Sequence, residues 1–211
     1  MSLGVKEGRF TATVSDPVWV RFRTEGIASL SSLTASDDFL AYALDEMLFA
    51  VSPDGEADLL EVMDSHVAEV RAWQFEGQRR PTIAVCLPQE DRVLTGVVIR
   101  PARWEQALTQ GQLGPHLSDG SGLFYPLSAA GSPDGRSYVL DAGHGRIVAI
   151  DADGNYITQW GTRGNGAGQF DFGDGTKSQT GLNYGGSIAV DDDGFIYVAD
   201  VGNGRIQKFA P

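Results

Sequence analysis

Two pairs of acidic and basic residues recur at one spacing near the C-terminus, and they are the first candidates for chemistry. Asp141 precedes Arg146 by the same interval as Asp200 precedes Arg205. A carboxylate and a guanidinium at this spacing can pair across a tight turn while the carboxylate also accepts backbone N–H groups. The alternative is that both pairs face a ligand. Because an active site is rarely duplicated within one chain, the repetition favours the structural role.

Histidine is scarce, and the candidates for a metal ligand or general base are His66, His116 and His144. Three histidines from separate parts of a fold can hold one zinc ion with an open position. His144 lies between two glycines, as Asn203 does in the second pair's segment. Asparagine is common in turns with positive φ. An exposed turn histidine is therefore the simpler interpretation of His144, and a site at a channel mouth is the alternative.

Oxygen-rich segments raise calcium as another alternative. Asp151, Asp153 and Asn155 alternate in DADGN, and residues 191–193 are an acidic triplet. Calcium takes about six to eight oxygens, and the full EF-hand loop with its terminal glutamate is missing from both segments. Hairpin turns explain these acids more simply. We therefore expect no cofactor, with calcium or zinc as the alternatives.

The two Asp–Arg pairs, with His144 and Asn203, fall in two copies of one repeated segment. Residues 125–150 and 184–209 align without a gap, which matches Tyr125 with Tyr184. Each copy is divided by Asp-Gly and Gly-x-Gly turns into short β-type runs such as SIAV (187–190), FIYVAD (195–200) and RIQKF (205–209). The first copy adds YITQWG (156–161) as a fourth strand. A repeated four-stranded antiparallel meander of about 40 residues predicts the blades of a β-propeller.

Three stretches also carry a family resemblance: DGFIYVADVGNGRIQKF (193–209), DGRSYVLDAGHGRIVAIDADGNYITQWG (134–161) and GNGAGQF (164–170). They resemble NHL repeats, which form β-propellers, and the resemblance is weak over the first 120 residues. It implies clear blades at 125–161 and 184–209. The Gly-rich connection 162–183 is then an inter-blade loop, which we expect on one mouth of the ring.

The repeats are also similar to those of NHL-related amidating lyases. That resemblance implies a zinc site whose histidine stands just before the innermost strand of a blade. Here the corresponding places hold Tyr125-Pro126 and Tyr184-Gly185. The departure argues against a zinc lyase, and it makes the two tyrosines candidates for lining the channel.

The rest of the chain is interpreted as further blades of a single all-β domain, 1–211. We prefer strands over a helix at 38–51, expect three strands in 66–100, and leave a short helix or an outer strand open at 102–122. Five blades of about 42 residues would fill the chain, and an incomplete six-bladed ring is the alternative. The last blade lacks a fourth strand. We predict that RFTATV (9–14) pairs with residues 205–209 and closes the ring, because closure removes exposed strand edges.

Charge and composition exclude some function classes. A net charge of −12 disfavours binding to nucleic acid or anionic membranes, which needs Lys and Arg. Cys86 stands alone within TIAVCL and is expected to be a buried small hydrophobe. The sequence shows no transmembrane run and no signal peptide. We expect a soluble, acidic protein, cytoplasmic by default and secreted if a signal has been removed.

Two function classes remain. The first is a binding propeller that presents a loop-rich channel mouth to a protein or small-molecule ligand. The mouth candidates are the residues that the repeat places alike, namely Tyr125, Asp141, His144, Arg146, Tyr184, Asp200, Asn203 and Arg205. The second is a propeller enzyme, a metal-dependent lyase or hydrolase whose groups come from several blades. Convergence of the three histidines on one point would favour the enzyme.

Overall fold

The structure is a computed structural model that describes residues 2–6, 9–13, 30–35, 40–51, 57–75, 80–99, 103–106, 122–178 and 181–211. These residues lie mainly in antiparallel β-strands joined by turns, with one short 3-10 helix at Pro88–Glu90. No helix in this described part is long and apolar enough to cross a membrane. The all-β prediction is confirmed.

The strands form sheets in chain order. A hairpin comes first, with β1 (Ser2–Lys6) and β2 (Arg9–Thr13). Three four-stranded meanders follow, which we call the first, second and third blades. Their strands are β3 (Leu30–Ala35), β4 (Leu40–Leu44), β5 (Met47–Val51) and β6 (Ala57–Val62); β7 (Glu69–Trp73), β8 (Thr82–Leu87), β9 (Arg92–Ile99) and β10 (Arg103–Gln106); and β11 (Pro126–Gly131), β12 (Ser137–Asp141), β13 (Arg146–Ile150) and β14 (Tyr156–Trp160).

The C-terminal part contains a second hairpin and a shorter sheet. The hairpin consists of β15 (Gly173–Ser178) and β16 (Gly181–Tyr184). The shorter sheet, the fourth blade, has β17 (Ser187–Val190), β18 (Ile196–Asp200) and β19 (Arg205–Phe209). The first strand of each blade touches the first strand of the next, in the order β3, β7, β11 and β17. These four are therefore the innermost strands, and the blades radiate from them.

The hydrophobic cores lie between neighbouring blades. Leu48 of the first blade and Ile83 of the second share one cluster, and Ile147 of the third blade and Ile188 of the fourth share another. A third cluster joins the second and third blades through Val93 and Val148. A blade covered on both faces needs apolar middle strands, which is why TIAVCL in β8 is buried at every position. Burial of apolar surface between sheets thus fixes their relative positions.

Several sequence expectations about strands are confirmed. Residues 40–44 and 47–51 are strands rather than a helix. Of the two alternatives left open at 102–122, residues 103–106 adopt the outer strand, which pairs with β9. The sequence also predicts that its four tryptophans, at 19, 73, 104 and 160, pack between blades. Trp160 does so, with its ring centroid 6.0 Å from Tyr138 and 5.6 Å from Phe209. The described residues do not include Trp19, the side chain of Trp104, or residues 111–121 of the expected loop.

The predicted ring closure is wrong. Strand β2 pairs with β1, from Lys6 with Arg9 to Ser2 with Thr13, and it is not part of the sheet that contains β19. A local hairpin needs a much shorter loop closure than a pairing across the whole chain, so it costs less entropy. The count of five blades is not confirmed either, since the described residues form four sheets of this kind.

The Gly-rich connection 162–183 is more structured than the sequence suggested. It contains a bridge between Arg163 and Phe170 and the β15–β16 hairpin. Phe170 and Phe172 are buried, with their rings stacked at a centroid distance of 5.0 Å. These two aromatic side chains anchor the segment in the core between the third and fourth blades. The expectation of a plain loop missed this anchoring because glycine dominates the local composition.

A matched pair of substitutions tests the assignment of core and surface in the third blade. Ile147→Ala removes a side chain with 0% exposure, whereas Ile157→Ala removes one with 44% exposure from the outer strand. We expect the first to lower the free energy of unfolding by about 2 to 5 kcal/mol, because it leaves a cavity. The second should cost less than about 1 kcal/mol, as surface substitutions do. Urea denaturation measures both, and equal losses would contradict the packing.

Candidate functional site

Asp141, at the end of β12, has a buried carboxylate that accepts hydrogen bonds from its own turn and from the segment that enters the blade. Its Oδ2 accepts Arg146 Nε at 2.7 Å and His144 Nδ1 at 2.9 Å across the β12–β13 turn. Its Oδ1 accepts the backbone N–H of Phe124 at 2.8 Å, from the segment that enters the same blade. The Arg146 Nη2 donates to the Gly122 carbonyl at 2.8 Å. The pair therefore locks its own turn and the entering segment together.

Asp200 repeats this arrangement in the fourth blade. Its Oδ2 accepts Arg205 Nε at 2.8 Å, its Oδ1 accepts the Asp171 backbone N–H at 2.7 Å, and Asn203 Nδ2 lies 3.0 Å from both oxygens. Burial by itself raises the pKa of Asp200, but the bonds from the Asp171 N–H, Asn203 and Arg205 together outweigh burial and lower that pKa. The network stabilises the carboxylate form of Asp200.

The two guanidinium groups fasten the inter-blade segments. Arg205 Nη2 donates to the carbonyls of Gly166 and Gln169 at 2.6 and 3.0 Å, and Nη1 donates to that of Asn165 at 2.9 Å. These contacts are the ones expected of the turn-locking role. They also explain the exchange of His144 for Asn203, because each residue offers a side-chain nitrogen to the aspartate of its own turn. A ligand-facing role of these residues stays a prediction.

Tyr125 and Tyr184 lie just before the innermost strands β11 and β17. Their ring centroids are 5.2 Å apart, so the structure brings these two candidates together at one end of neighbouring strands. Tyr125 has a positive φ of 54°, and its N–H donates to Asp91 Oδ1 at 2.8 Å. The Tyr184 hydroxyl accepts Arg163 Nη2 at 3.2 Å, and the guanidinium carbon lies 5.6 Å from its ring centroid.

Sequence reasoning missed Phe124, which joins this group. Its ring lies 5.7 Å from His144 and 6.4 Å from Tyr184, edge to face in both cases, and it is 37% exposed. Its backbone is held on both sides, by its N–H to Asp141 and by its carbonyl, which accepts the Gly143 N–H at 2.8 Å. The position lies one residue before the aligned repeat, so no internal signal marked it. We call Phe124, Tyr125, His144, Arg163 and Tyr184 the mouth cluster.

A second group, on the innermost strands, was also missed. Glu69 Oε1 accepts Arg71 Nε at 3.1 Å, and Arg71 Nη2 donates to Ser187 Oγ at 3.2 Å. Ser128 Oγ lies 3.4 Å from Ser187 Oγ, and Glu69 Oε2 accepts the Ala129 N–H at 3.1 Å. We call Glu69, Arg71, Ser128 and Ser187 the channel cluster. Its members come from three blades, so no local sequence pattern could reveal it.

Burial gives Glu69 an unusual pKa. Desolvation raises the pKa of this carboxyl above its ordinary value, and hydrogen bonds from Ser128, Arg71 and the Ala129 N–H offset part of the rise. Cys86 lies directly across the β7–β8 ladder from Glu69 and is buried. Its burial, and next the Glu69 charge, raise the pKa of the Cys86 thiol well above the ordinary value. A protonated, enclosed thiol is a packing group rather than a nucleophile.

The metal alternatives find no assembled site in the described residues. His66 Nδ1 lies 3.9 Å from Asp45 Oδ1, while His144 bonds to Asp141 in another blade, and His116 lies outside the described part. No three His, Cys, Asp or Glu side chains among the described residues are grouped so that they could hold a metal ion.

The acidic turns use their carboxylates internally. Asp151 Oδ1 accepts the N–H groups of Asp153 and Asn155 at 3.0 and 2.8 Å, and Asp191 Oδ1 accepts those of Asp193 and Phe195 at 3.1 and 2.8 Å. These are hairpin-turn contacts, which match the simpler interpretation of both segments.

The lowered pKa of Asp200 predicts acid sensitivity. A group whose pKa is lowered by folding contributes stability above its ordinary value of about 4 and loses it as pH falls through the lowered pKa. Asp200→Asn should reduce the free energy of unfolding by about 1.5 to 3 kcal/mol at pH 7. The deficit should shrink as the pH falls further below the ordinary value of about 4, because the wild-type carboxylate then becomes protonated and loses its contribution. Urea titrations of both proteins across this range test the point, and a pH-independent deficit would contradict it.

Comparisons with known proteins show which repeat family and which folds this chain resembles. The NHL repeat family matches residues 184–209, and no curated protein sequence matches the chain. The β-propeller domain of Cps50 (Swd1) from Myceliophteria thermophila superposes with a TM-score of 0.58 at 11% identity, over 87% of this chain and 54% of that one. A streptogramin B lyase superposes with a TM-score of 0.51 at 13% identity, over 86% of this chain and 55% of that one.

An auxiliary nutrient binding protein from Bacteroides thetaiotaomicron VPI-5482 gives a TM-score of 0.52 at 16% identity, over 81% of this chain and 44% of that one. The chain thus spans about half the length of each of these three proteins. At such low identities the likeness concerns the fold alone. The chain has a β-propeller fold, and its residues 184–209 match the NHL repeat.

Proposed function

We propose that this protein is a binding module whose mouth cluster takes an aromatic side chain or an aromatic small molecule. The observation that carries the proposal is Phe124, a large apolar ring that is more than a third exposed although its backbone is held on both sides. Fixing a contact residue before binding removes the entropy cost of ordering it later. An exposed but immobilised ring is therefore suited to recognition.

The neighbours of Phe124 favour an aromatic partner. His144 and Tyr184 both stand edge to face against its ring. Aromatic rings prefer edge-to-face or offset contacts, which add about 0.5 to 1.5 kcal/mol beyond the buried area. A ligand ring laid beside Phe124 extends an arrangement that already exists. Tyrosine and tryptophan side chains of a protein partner supply the same chemistry, and they are common at interface hot spots.

The rest of the cluster supplies rigidity rather than free charge. The Arg163 guanidinium donates to the carbonyls of Gly173 and Gly143 and to the Tyr184 hydroxyl, so both of its Nη atoms are engaged within the protein. Tyr125 is buried and tied to Asp91. Recognition at this mouth therefore depends on the faces and edges of rings, consistent with a chain whose net charge of −12 disfavours nucleic acid.

An enzyme has weaker support. Glu69 is the group that would favour one, since a buried carboxyl with a raised pKa is suited to acid–base chemistry. Its two oxygens, however, are engaged by Arg71 and by the Ala129 N–H. A carboxyl that is held by such fixed partners serves binding and positioning better than proton transfer.

Titration with indole and p-cresol, which carry the ring chemistry of tryptophan and tyrosine, tests the proposal. Amide chemical shifts of residues 124, 143 and 144 should change saturably in the wild-type protein. Phe124→Ala should weaken the affinity about tenfold, since it removes the stacking contact. Leu59→Ala, which shortens another exposed apolar side chain in the outer strand of the first blade, should leave the affinity unchanged.

Two results would count against the aromatic mouth. One is equal affinity of the wild type and the Phe124→Ala protein. The other is an equal loss in the Leu59→Ala protein, which would show that the probes bind exposed apolar surface without preference.

A further inference from the structure

We propose that the channel cluster is a second binding site, which takes a carboxylate group of a small molecule through Arg71. This site is separate from the mouth cluster in residues and in chemistry. It is built on the innermost strands β7, β11 and β17, whereas the mouth cluster lies in the turns and entering segments at one end of β11 and β17.

The strand pattern of β7 places the two charged residues on one side. Val70, between Glu69 and Arg71, has 0% exposure and belongs to the core between the first two blades. Successive side chains of a strand alternate between its faces. Glu69 and Arg71 therefore share the opposite face, which contacts the inner strands of the following blades through Ala129 and Ser187.

Hydrogen bonds hold Arg71 in place without engaging all of its nitrogens. Its Nε and Nη2 both contact Glu69 Oε1, and Nη2 also donates to Ser187 Oγ. The third nitrogen, Nη1, has no partner among the described residues. The side chain is 41% exposed, against 14% for Glu69. A guanidinium that is fixed along one edge and open at its remaining nitrogen presents two N–H donors in a defined direction. An oxygen acceptor is the ligand group that fits them.

The surrounding groups strengthen the preference for an acceptor. Ser128 Oγ accepts the Ile188 N–H at 3.1 Å, and Ser128 also bonds to the Glu69 carboxyl. Ser187 Oγ accepts from Arg71 and lies 3.4 Å from Ser128 Oγ, so its O–H makes only a long bond there and can turn to a closer oxygen. The groups around Arg71 that can turn to a ligand are therefore donors, and charge-assisted bonds from a guanidinium to a carboxylate are the strongest of these.

Repulsion from the protein's carboxylates determines which oxyanion binds best to Arg71. The Glu69 carboxyl lies within 3.1 Å of the same guanidinium, and the chain as a whole carries −12. Each additional negative charge on a ligand increases its repulsion from these carboxylates. A monoanionic carboxylate therefore binds better than a phosphate dianion. The expected ligand is a small molecule with one carboxylate, narrow enough to enter between the inner strands.

Acetate is the probe that tests this site. The whole chain is titrated with sodium acetate at constant ionic strength, with sodium chloride as the balancing salt, and the Arg71 Nε–Hε resonance is followed by NMR. We expect a saturable shift in the wild-type protein. Arg71→Gln should abolish saturable binding, and Ser187→Ala, which removes only a hydroxyl, should weaken it several-fold. Arg136→Gln, at an exposed arginine paired with Asp134, should have no effect.

The Ser187→Ala protein keeps the test decisive if the Arg71→Gln protein does not fold. Wild-type titration without a saturable shift at Arg71 would overturn the proposal, as would equal acetate affinity in the wild-type and Ser187→Ala proteins. Sodium phosphate at pH 8 should bind more weakly than acetate, and tighter binding of phosphate would overturn the assignment to a carboxylate. None of these results depends on Phe124, so they leave the aromatic mouth unaffected.

Discussion

The structure of the C-terminal half depends on a buried carboxylate that bonds at once to a turn and to the segment entering the same blade. Asp141 joins the β12–β13 turn to Phe124, and Asp200 joins the β18–β19 turn to Asp171. A buried charge is tolerated only with several donors, and loss of one partner costs about 3 to 5 kcal/mol. Each of these segments is thereby tied to a blade turn by a backbone hydrogen bond to a buried carboxylate.

The Asp141 bond also fixes the backbone of the proposed recognition site. The residue that Asp141 holds through its backbone, Phe124, is also the exposed ring of the mouth cluster. The segment that Arg205 fastens through three carbonyls belongs to the same Gly-rich connection as Arg163, which contacts Tyr184. The repeated lock therefore ties an entering segment to the turn of each of these two blades, and the side chains on those segments differ between the two.

The sequence predicted the features that repeat and those that are local. Asp141 and Arg146 were identified with their turn because the same types recur at Asp200 and Arg205, and the alternation within RIQKF predicted strand β19. Phe124 was missed because it lies one residue outside the aligned copies. The channel cluster was missed because Arg71 and Ser187 come together only through the radial arrangement of the blades. The predicted pairing of β2 with β19 is wrong because the hairpin with β1 closes a much shorter loop.

Native-state hydrogen exchange at the amides of Phe124 and Asp171 tests the central claim most directly. Both lie outside the strands, and both donate to a buried carboxylate, at 2.8 and 2.7 Å. The Asp153 amide is the matched comparison, since it donates at 3.0 Å to the more exposed Asp151 carboxylate. We expect Phe124 and Asp171 to exchange as slowly as strand amides such as that of Val148, and far more slowly than Asp153. Exchange of Phe124 and Asp171 as fast as that of Asp153 would contradict the account.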